Sequence, residues 1–175
     1  LPPAPTNTLW VGHADTLYFT DTDAYNGDSV TLSVLVYLSP TQATMVVADS
    51  SGNAVDTYCP GETMFVTVTD TDANLNILGK DSAVVTVTNN FTGEVEVMYL
   101  QETGNYSGVF ADTYITLANN AAYSGNNDDT LHVLIGDTVT ISYTDPNSGD
   151  SVVDTVTITP RPSAATVYFS DASGT

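Results

Sequence analysis

The chain has 175 residues and a formal charge of −19, with 21 acidic side chains against only Lys80 and Arg161. Nucleic acid and anionic membrane surfaces both require a basic face that two cations cannot build, so those partners are excluded. Its 42% hydrophobic content, ten Tyr, 21 Val and 28 Thr fit a folded β-protein with an acidic surface, not an acidic disordered tail.

The chain opens with Leu1-Pro2-Pro3-Ala4-Pro5 and has no basic, apolar leader. That start reads as a mature chain whose signal peptide has been removed, so the expected location is secreted, at the cell surface. Apolar runs are strand-sized, and none approaches the roughly 18 residues of a spanning helix, so no membrane insertion is expected. Beyond a Pro-rich segment at 1–14, strands are predicted at 16–20, 30–38, 43–48, 63–69, 83–88, 94–100, 109–117, 131–135, 138–143, 152–159 and 165–170. Alternation carries them. Met64, Val66 and Val68 face one way, and Thr63, Phe65, Thr67 and Thr69 the other. Val139, Ile141 and Tyr143 alternate with Thr138, Thr140 and Ser142. Val95, Val97 and Tyr99 are expected to point inward, with Glu94, Glu96 and Met98 outward. Turn clusters such as Tyr25-Asn26-Gly27-Asp28, Ser51-Gly52-Asn53 and Asp145-Pro146-Asn147-Ser148-Gly149-Asp150 separate the runs. The fold class is an all-β antiparallel sandwich.

An internal repeat organises these strands. At an offset of 122 residues, positions 15–53 fall on 137–175 without a gap, with 15 identities in 39 positions. Gly27-Asp28-Ser29-Val30 meets Gly149-Asp150-Ser151-Val152, and Ala43-Thr44 meets Ala165-Thr166. Residues 43–160 are then one complete sandwich. Residues 15–42 carry the closing hairpin of another repeat, and 161–175 the opening strand of a next one. Both terminal pieces are available for strand exchange.

The motifs also carry a family resemblance. They include Ala43-Thr44 running to Asp49-Ser50-Ser51-Gly52-Asn53, then Pro60-Gly61-Glu62, then Val66-Thr67-Val68-Thr69-Asp70-Thr71-Asp72-Ala73-Asn74. Gln101-Glu102-Thr103-Gly104 with Gly108-Val109-Phe110 follows, and then Gly136-Asp137-Thr138-Val139-Thr140 with Tyr143-Thr144-Asp145-Pro146. In order and spacing this resembles the Ig-like β-sandwich repeats of secreted bacterial and archaeal cell-surface proteins, S-layer-type proteins among them. The resemblance implies an Ig-like sandwich acting as an extracellular structural module, without catalytic activity.

Several residues are candidates for chemistry. Asp70, Asp72, Asn74 and Asn76 offer oxygen at every second position, the donor type that calcium takes six to eight of. Leu75 stands where an EF-hand needs Gly, and no helices flank the run, so the candidate is a loop-type calcium site completed by Glu102 or Asp145. Asp21, Asp23 and Asp28 form a similar cluster. The competing reading is that these acids cap turns through Asx hydrogen bonds and need no metal. Asn90-Phe91-Thr92 and Asn105-Tyr106-Ser107 are sequons, so Asn90 and Asn105 are acceptors for N-glycosylation. His132 is expected to face outward from a strand, and Cys59 to be a packed thiol. Neither histidine belongs to a triad, and no enzyme activity is expected.

Two functions follow. In the first, the protein is a structural subunit whose partners are other copies of itself. Leu17, Phe19, Val34 and Val36 of the closing hairpin, and Val167 and Phe169 of the opening strand, are too apolar to stay wet. Strand addition between copies would then build a head-to-tail filament or layer. The alternative is a calcium-dependent adhesin or glycan-binding module from a longer array.

Overall fold

The computed structural model describes residues 8–9, 11–12, 14–37, 39–76, 78–120 and 125–163. In chain order the strands are β1 (Thr16–Thr22), β2 (Ser29–Leu35), β3 (Thr44–Ala48), β4 (Thr57–Tyr58), β5 (Thr63–Thr69) and β6 (Ser82–Asn89). They continue as β7 (Val95–Glu102), β8 (Val109–Ala111), β9 (Tyr114–Asn119), β10 (Thr130–Val133), β11 (Thr138–Thr144) and β12 (Ser151–Ile158). Among the described residues there is no helix. The expected strand at 165–170, with Val167 and Phe169, lies outside them.

Strands β3, β5, β9 and β10 form one layer, and β7, β6, β11, β12 and β4 the other. Short β8 pairs with both β5 and β7, so the layers are continuous at one edge. Across the core β3 approaches β12, and β10 approaches β6 and β7. The result is an all-β, sandwich-like body. Pairing is antiparallel except for β4 beside β12 and β10 beside β9, which are parallel.

The core follows the period-two stripes. Met64, Val66 and Val68 of β5, Val85 and Val87 of β6, and Val139 and Ile141 of β11 are all essentially inaccessible. Each such side chain contributes about 1.5–3 kcal/mol when moved out of water. Tyr58 of β4 is buried too, and its hydroxyl donates to the Ala48 carbonyl at 2.5 Å. Cys59 beside it is buried.

Three local expectations are corrected. The single strand at 109–117 is two, because Asp112 sits at φ 81° and breaks the extended run between β8 and β9. The phase of β7 is inverted: Glu94, Glu96, Met98 and Leu100 are buried, while Val97 is half-buried and Tyr99 exposed. Met98 and Leu100 fill the core more completely than Val95 and Val97 would. The two glutamates that come inward with them are satisfied there. Glu96 accepts the backbone N–H groups of Asn127 (2.8 Å), Asp128 (2.9 Å) and Asp129 (2.9 Å). Glu94 takes the His132 N–H at 2.9 Å and faces its Nδ1 at 2.8 Å. His132 is therefore buried against a carboxylate rather than outward-facing.

Hairpin β1–β2 forms a separate two-stranded sheet. All seven of its residue pairs, from Thr16↔Leu35 to Thr22↔Ser29, match the seven pairs of β11–β12 at the 122-residue offset, from Thr138↔Thr157 to Thr144↔Ser151. The turns match as well. Gly27 N–H donates to the Asp23 carbonyl (2.9 Å) and Gly149 N–H to that of Asp145 (3.0 Å), with φ 81° and 79° at the two glycines. At the other end Asp15 Oδ2 accepts the Gly12 N–H (2.7 Å), and Asp137 Oδ2 that of Leu134 (2.9 Å).

Candidate functional site

Two features stand out: an uncovered apolar face on the hairpin, and an acidic cluster at one end of the sandwich-like body.

Register places Leu17 opposite Val34 and Phe19 opposite Leu32, so these four share one face of the hairpin, with Val36 following two residues after Val34. The counterparts of Leu17, Phe19 and Val34, which are Val139, Ile141 and Val156, are 0% exposed in the core, whereas that of Leu32 is the half-buried Asp154. Phe19 is 57% exposed and Val34 43%, while Leu17 and Val36 are half-buried. The same backbone ladder is thus built twice, once covered and once open.

The acidic cluster grows out of the core stripes. On β5 the inward series Met64, Val66, Val68 continues in phase to Asp70, and on β11 the series Val139, Ile141, Tyr143 continues to Asp145. Both acids therefore turn inward where the strands end, and Asp72 joins them from the loop between β5 and β6. Asp70, Asp72 and Asp145 are 1%, 4% and 0% exposed. Each places one carboxylate oxygen within 4.8 Å of the others, an arrangement that can hold a metal ion.

Neighbouring donors fix these carboxylates. Tyr143 donates its hydroxyl to Asp70 Oδ2 at 2.8 Å, and the Asp72 and Ala73 N–H groups reach Oδ1 at 3.3 Å. The Thr41 hydroxyl and its N–H (3.0 Å) both donate to Asp72 Oδ1. Asp145 caps its turn, accepting Asn147 N–H at 2.7 Å and Ser148 N–H at 3.1 Å. Burial pushes the Asp70 carboxyl up, with neighbouring Asp72 and Asp145 adding to the effect against the Tyr143 bond. For Asp72 burial acts upward too, but hydrogen bonds from Thr41 and Asp70 outweigh it and hold the carboxyl low. Burial and the same three acids push the Tyr143 phenol well up. Gly108 fits against this end because a Cβ there would lie 3.0 Å from the Asp70 carbonyl, and its φ is 62°.

The other sequence candidates lie elsewhere. Glu102 is buried but closes its own loop, taking Gly108 N–H (2.7 Å) and Ser107 N–H (3.0 Å) on Oε1 and Asp81 N–H (3.0 Å) on Oε2. Asn76 is exposed and its Oδ1 accepts the Leu78 N–H at 3.0 Å. Asn74 is buried beside Asp72. Asp21 near the end of β1 and Asp23 and Asp28 in the hairpin turn are all exposed. Asn90 is exposed with its amide on Thr138 and Thr140, and Asn105 is exposed with its amide on the Leu78 carbonyl. Sequence reasoning missed Thr41 and Tyr143 as partners of the cluster. The in-phase stripe ending at Asp145 was the signal available for Tyr143.

No protein-family model and no curated protein sequence matches this chain.

Proposed function

We propose that the protein is an extracellular structural subunit that assembles head to tail into a filament or surface layer, with an Ig-like sandwich as its body. The observation that carries this reading is the uncovered hairpin. It repeats the β11–β12 ladder pair for pair, yet Phe19 and Val34, whose counterparts Ile141 and Val156 are core, are exposed.

The proposed occupant is a second copy of this chain. In the body, β3 lies across the core from β12 and buries Val47 to 3% exposure. At the repeat offset, β3 corresponds to 165–170 and Val47 to Phe169. Segment 165–170 of one copy therefore suits the open face of another copy's hairpin by descent. Covering the exposed part of Phe19 (57%) and Leu32 (61%) would contribute about 2–4 kcal/mol before ordering costs. The contact joins different surfaces, so repetition gives an open polymer rather than a closed ring.

Sedimentation of the purified chain over a wide concentration range, with negative-stain imaging, tests the reading. Long particles should form and should be lost in Phe19→Asp and in Phe169→Asp. Phe19→Asp should leave the melting of the body unchanged, since Phe19 belongs to the separate β1–β2 sheet and is 57% exposed. A wild-type chain that stays monomeric, or variants that assemble as it does, would overturn the proposal.

A further inference from the structure

We propose that Asp70, Asp72, Asp145 and Asn74 form a calcium site that clamps the two layers together where β5 and β11 end. The site stands independently of head-to-tail assembly, because all four residues belong to the body alone.

Distance is the first argument. Calcium holds oxygen ligands at about 2.3–2.6 Å, so two ligands of one ion lie at most about 5 Å apart. The three carboxylate oxygens meet that limit, at 4.8 Å or less. Charge is the second. Three carboxylates are buried together, and the ion pairs among the described residues are Arg161 with Glu62 and His132 with Glu94, neither of them here. Buried carboxylates crowded without a cation are costly, and a divalent ion removes that cost.

Asn74 supplies an independent observation. It is 6% exposed, and its side-chain Oδ1 is fully buried and accepts no hydrogen bond. Among the described residues it is the buried side-chain polar atom left in that state. Asn74 and Asp72 line one cavity of about 240 Å³ together with Thr41. A buried acceptor without a donor calls for a partner, and in a cavity shared with the Asp72 carboxylate a cation is the partner it suits. The hydrogen bonds already made occupy Asp70 Oδ1 and Asp72 Oδ1 but leave room for an ion at Asp72 Oδ2 and at one lone pair each of Asp70 Oδ2 and the two Asp145 oxygens.

The donor set selects the ion. All four donors are oxygens, and neither histidine nor cysteine is in the set, which disfavours zinc and copper. Magnesium demands tighter octahedral geometry near 2.0–2.1 Å and keeps its waters, whereas calcium accepts a protein cage of this kind. Water completes the shell.

Terbium(III), which takes calcium sites, is a direct probe, because the Tyr143 hydroxyl lies 2.8 Å from Asp70 Oδ2 and its ring can sensitise a bound lanthanide. Tyrosine excitation of the intact protein should give terbium emission that calcium displaces, and Tyr143→Phe should remove most of it. Calcium alone should raise the melting temperature by mass action. Asp72→Asn and Asn74→Ala should each weaken calcium binding about tenfold or more, since ligand number and charge set affinity at such sites. Titration of the wild-type chain decides the matter without any variant. The proposal fails if millimolar calcium displaces no terbium and leaves the melt unchanged. It fails equally if magnesium competes as well as calcium, or if folded Asp72→Asn and Asn74→Ala bind as wild type does, which would mark ions gathered diffusely by the acidic surface.

Discussion

Replacing Glu96 by Ala should cost more stability than replacing Val97 by Ala, the reverse of what the hydrophobicity of the two residues suggests. Glu96 is buried and holds three backbone N–H groups of the 127–129 segment at 2.8–2.9 Å. Hydrogen bonds to a charged group contribute about 1.5–3 kcal/mol each, a gross of about 4–9 kcal/mol for three. Burial pushes the Glu96 carboxyl upward in spite of those bonds, so desolvation offsets part of the gain. The net loss in Glu96→Ala should be about 2–4 kcal/mol, since the freed N–H groups are only partly rehydrated. Val97 is half-buried on the outer face, and its truncation should cost about 1 kcal/mol or less. Urea unfolding of the two variants beside Met98→Ala, expected to cost about 2–5 kcal/mol, gives the comparison. A larger loss in Val97→Ala than in Glu96→Ala would refute the inward phase of β7.

Further outcomes follow from the same geometry. Because the Glu96 carboxyl is raised on folding, the pH-linked part of its contribution is complete below its unfolded value of 4.5 and is lost as pH rises through the folded value. Wild-type stability should therefore fall more steeply than that of Glu96→Gln as pH rises through that window, and carboxyl NMR should place the native Glu96 titration above 4.5. Asp49 has the opposite sign. Hydrogen bonds from the Asn53 backbone, the Asn53 side chain and Ser51 hold it below 3.8, so its contribution is lost only as pH falls through the folded value, and Asp49→Asn should flatten the acid limb. Gly108→Ala should destabilise by about 1–3 kcal/mol in a thermal melt, because its backbone is left-handed and a methyl there would press on the Asp70 carbonyl. Asn89→Ala should cost about 2–4 kcal/mol, since the buried amide donates to the His132 carbonyl (2.8 Å) and Asp137 Oδ2 (2.9 Å) while accepting Phe91 N–H (2.9 Å).

Strands β5, β6 and β11 were legible because each carries an apolar stripe flanked by Thr or Ser, and a one-residue slip would turn all of it outward. On β12 Val152, Val156 and Ile158 keep the phase although Asp154 interrupts it. Strand β4 was not, because two residues carry no period. On β7 both phases offered apolar side chains, Val95 and Val97 on one face and Met98 and Leu100 on the other. The choice was made by groups distant in sequence, the 127–129 amides and His132, which local alternation does not encode. The acidic cluster was half legible. Asp70 and Asp145 extend visible stripes, whereas the Thr41 bonds to Asp72 and the orphan oxygen of Asn74 depend on how loops fold back. Glu102 has the right chemistry for that cluster, and backbone N–H groups of its own loop occupy it instead.

The duplicated hairpin makes this molecule its own reference experiment. β1–β2 and β11–β12 share seven matched pairs, the same turn bonds and the same glycine geometry, and differ in what lies on their inner faces. Amide hydrogen exchange measured on both ladders in one sample separates two quantities that mutagenesis usually mixes. Protection in β1–β2 reports the cross-strand bonds and the turn alone, and the excess in β11–β12 reports the apolar cover together with its neighbours β6 and β4. If copies associate through the open face, protection in β1–β2 should climb toward that of its twin as concentration rises, residue by residue along the same register.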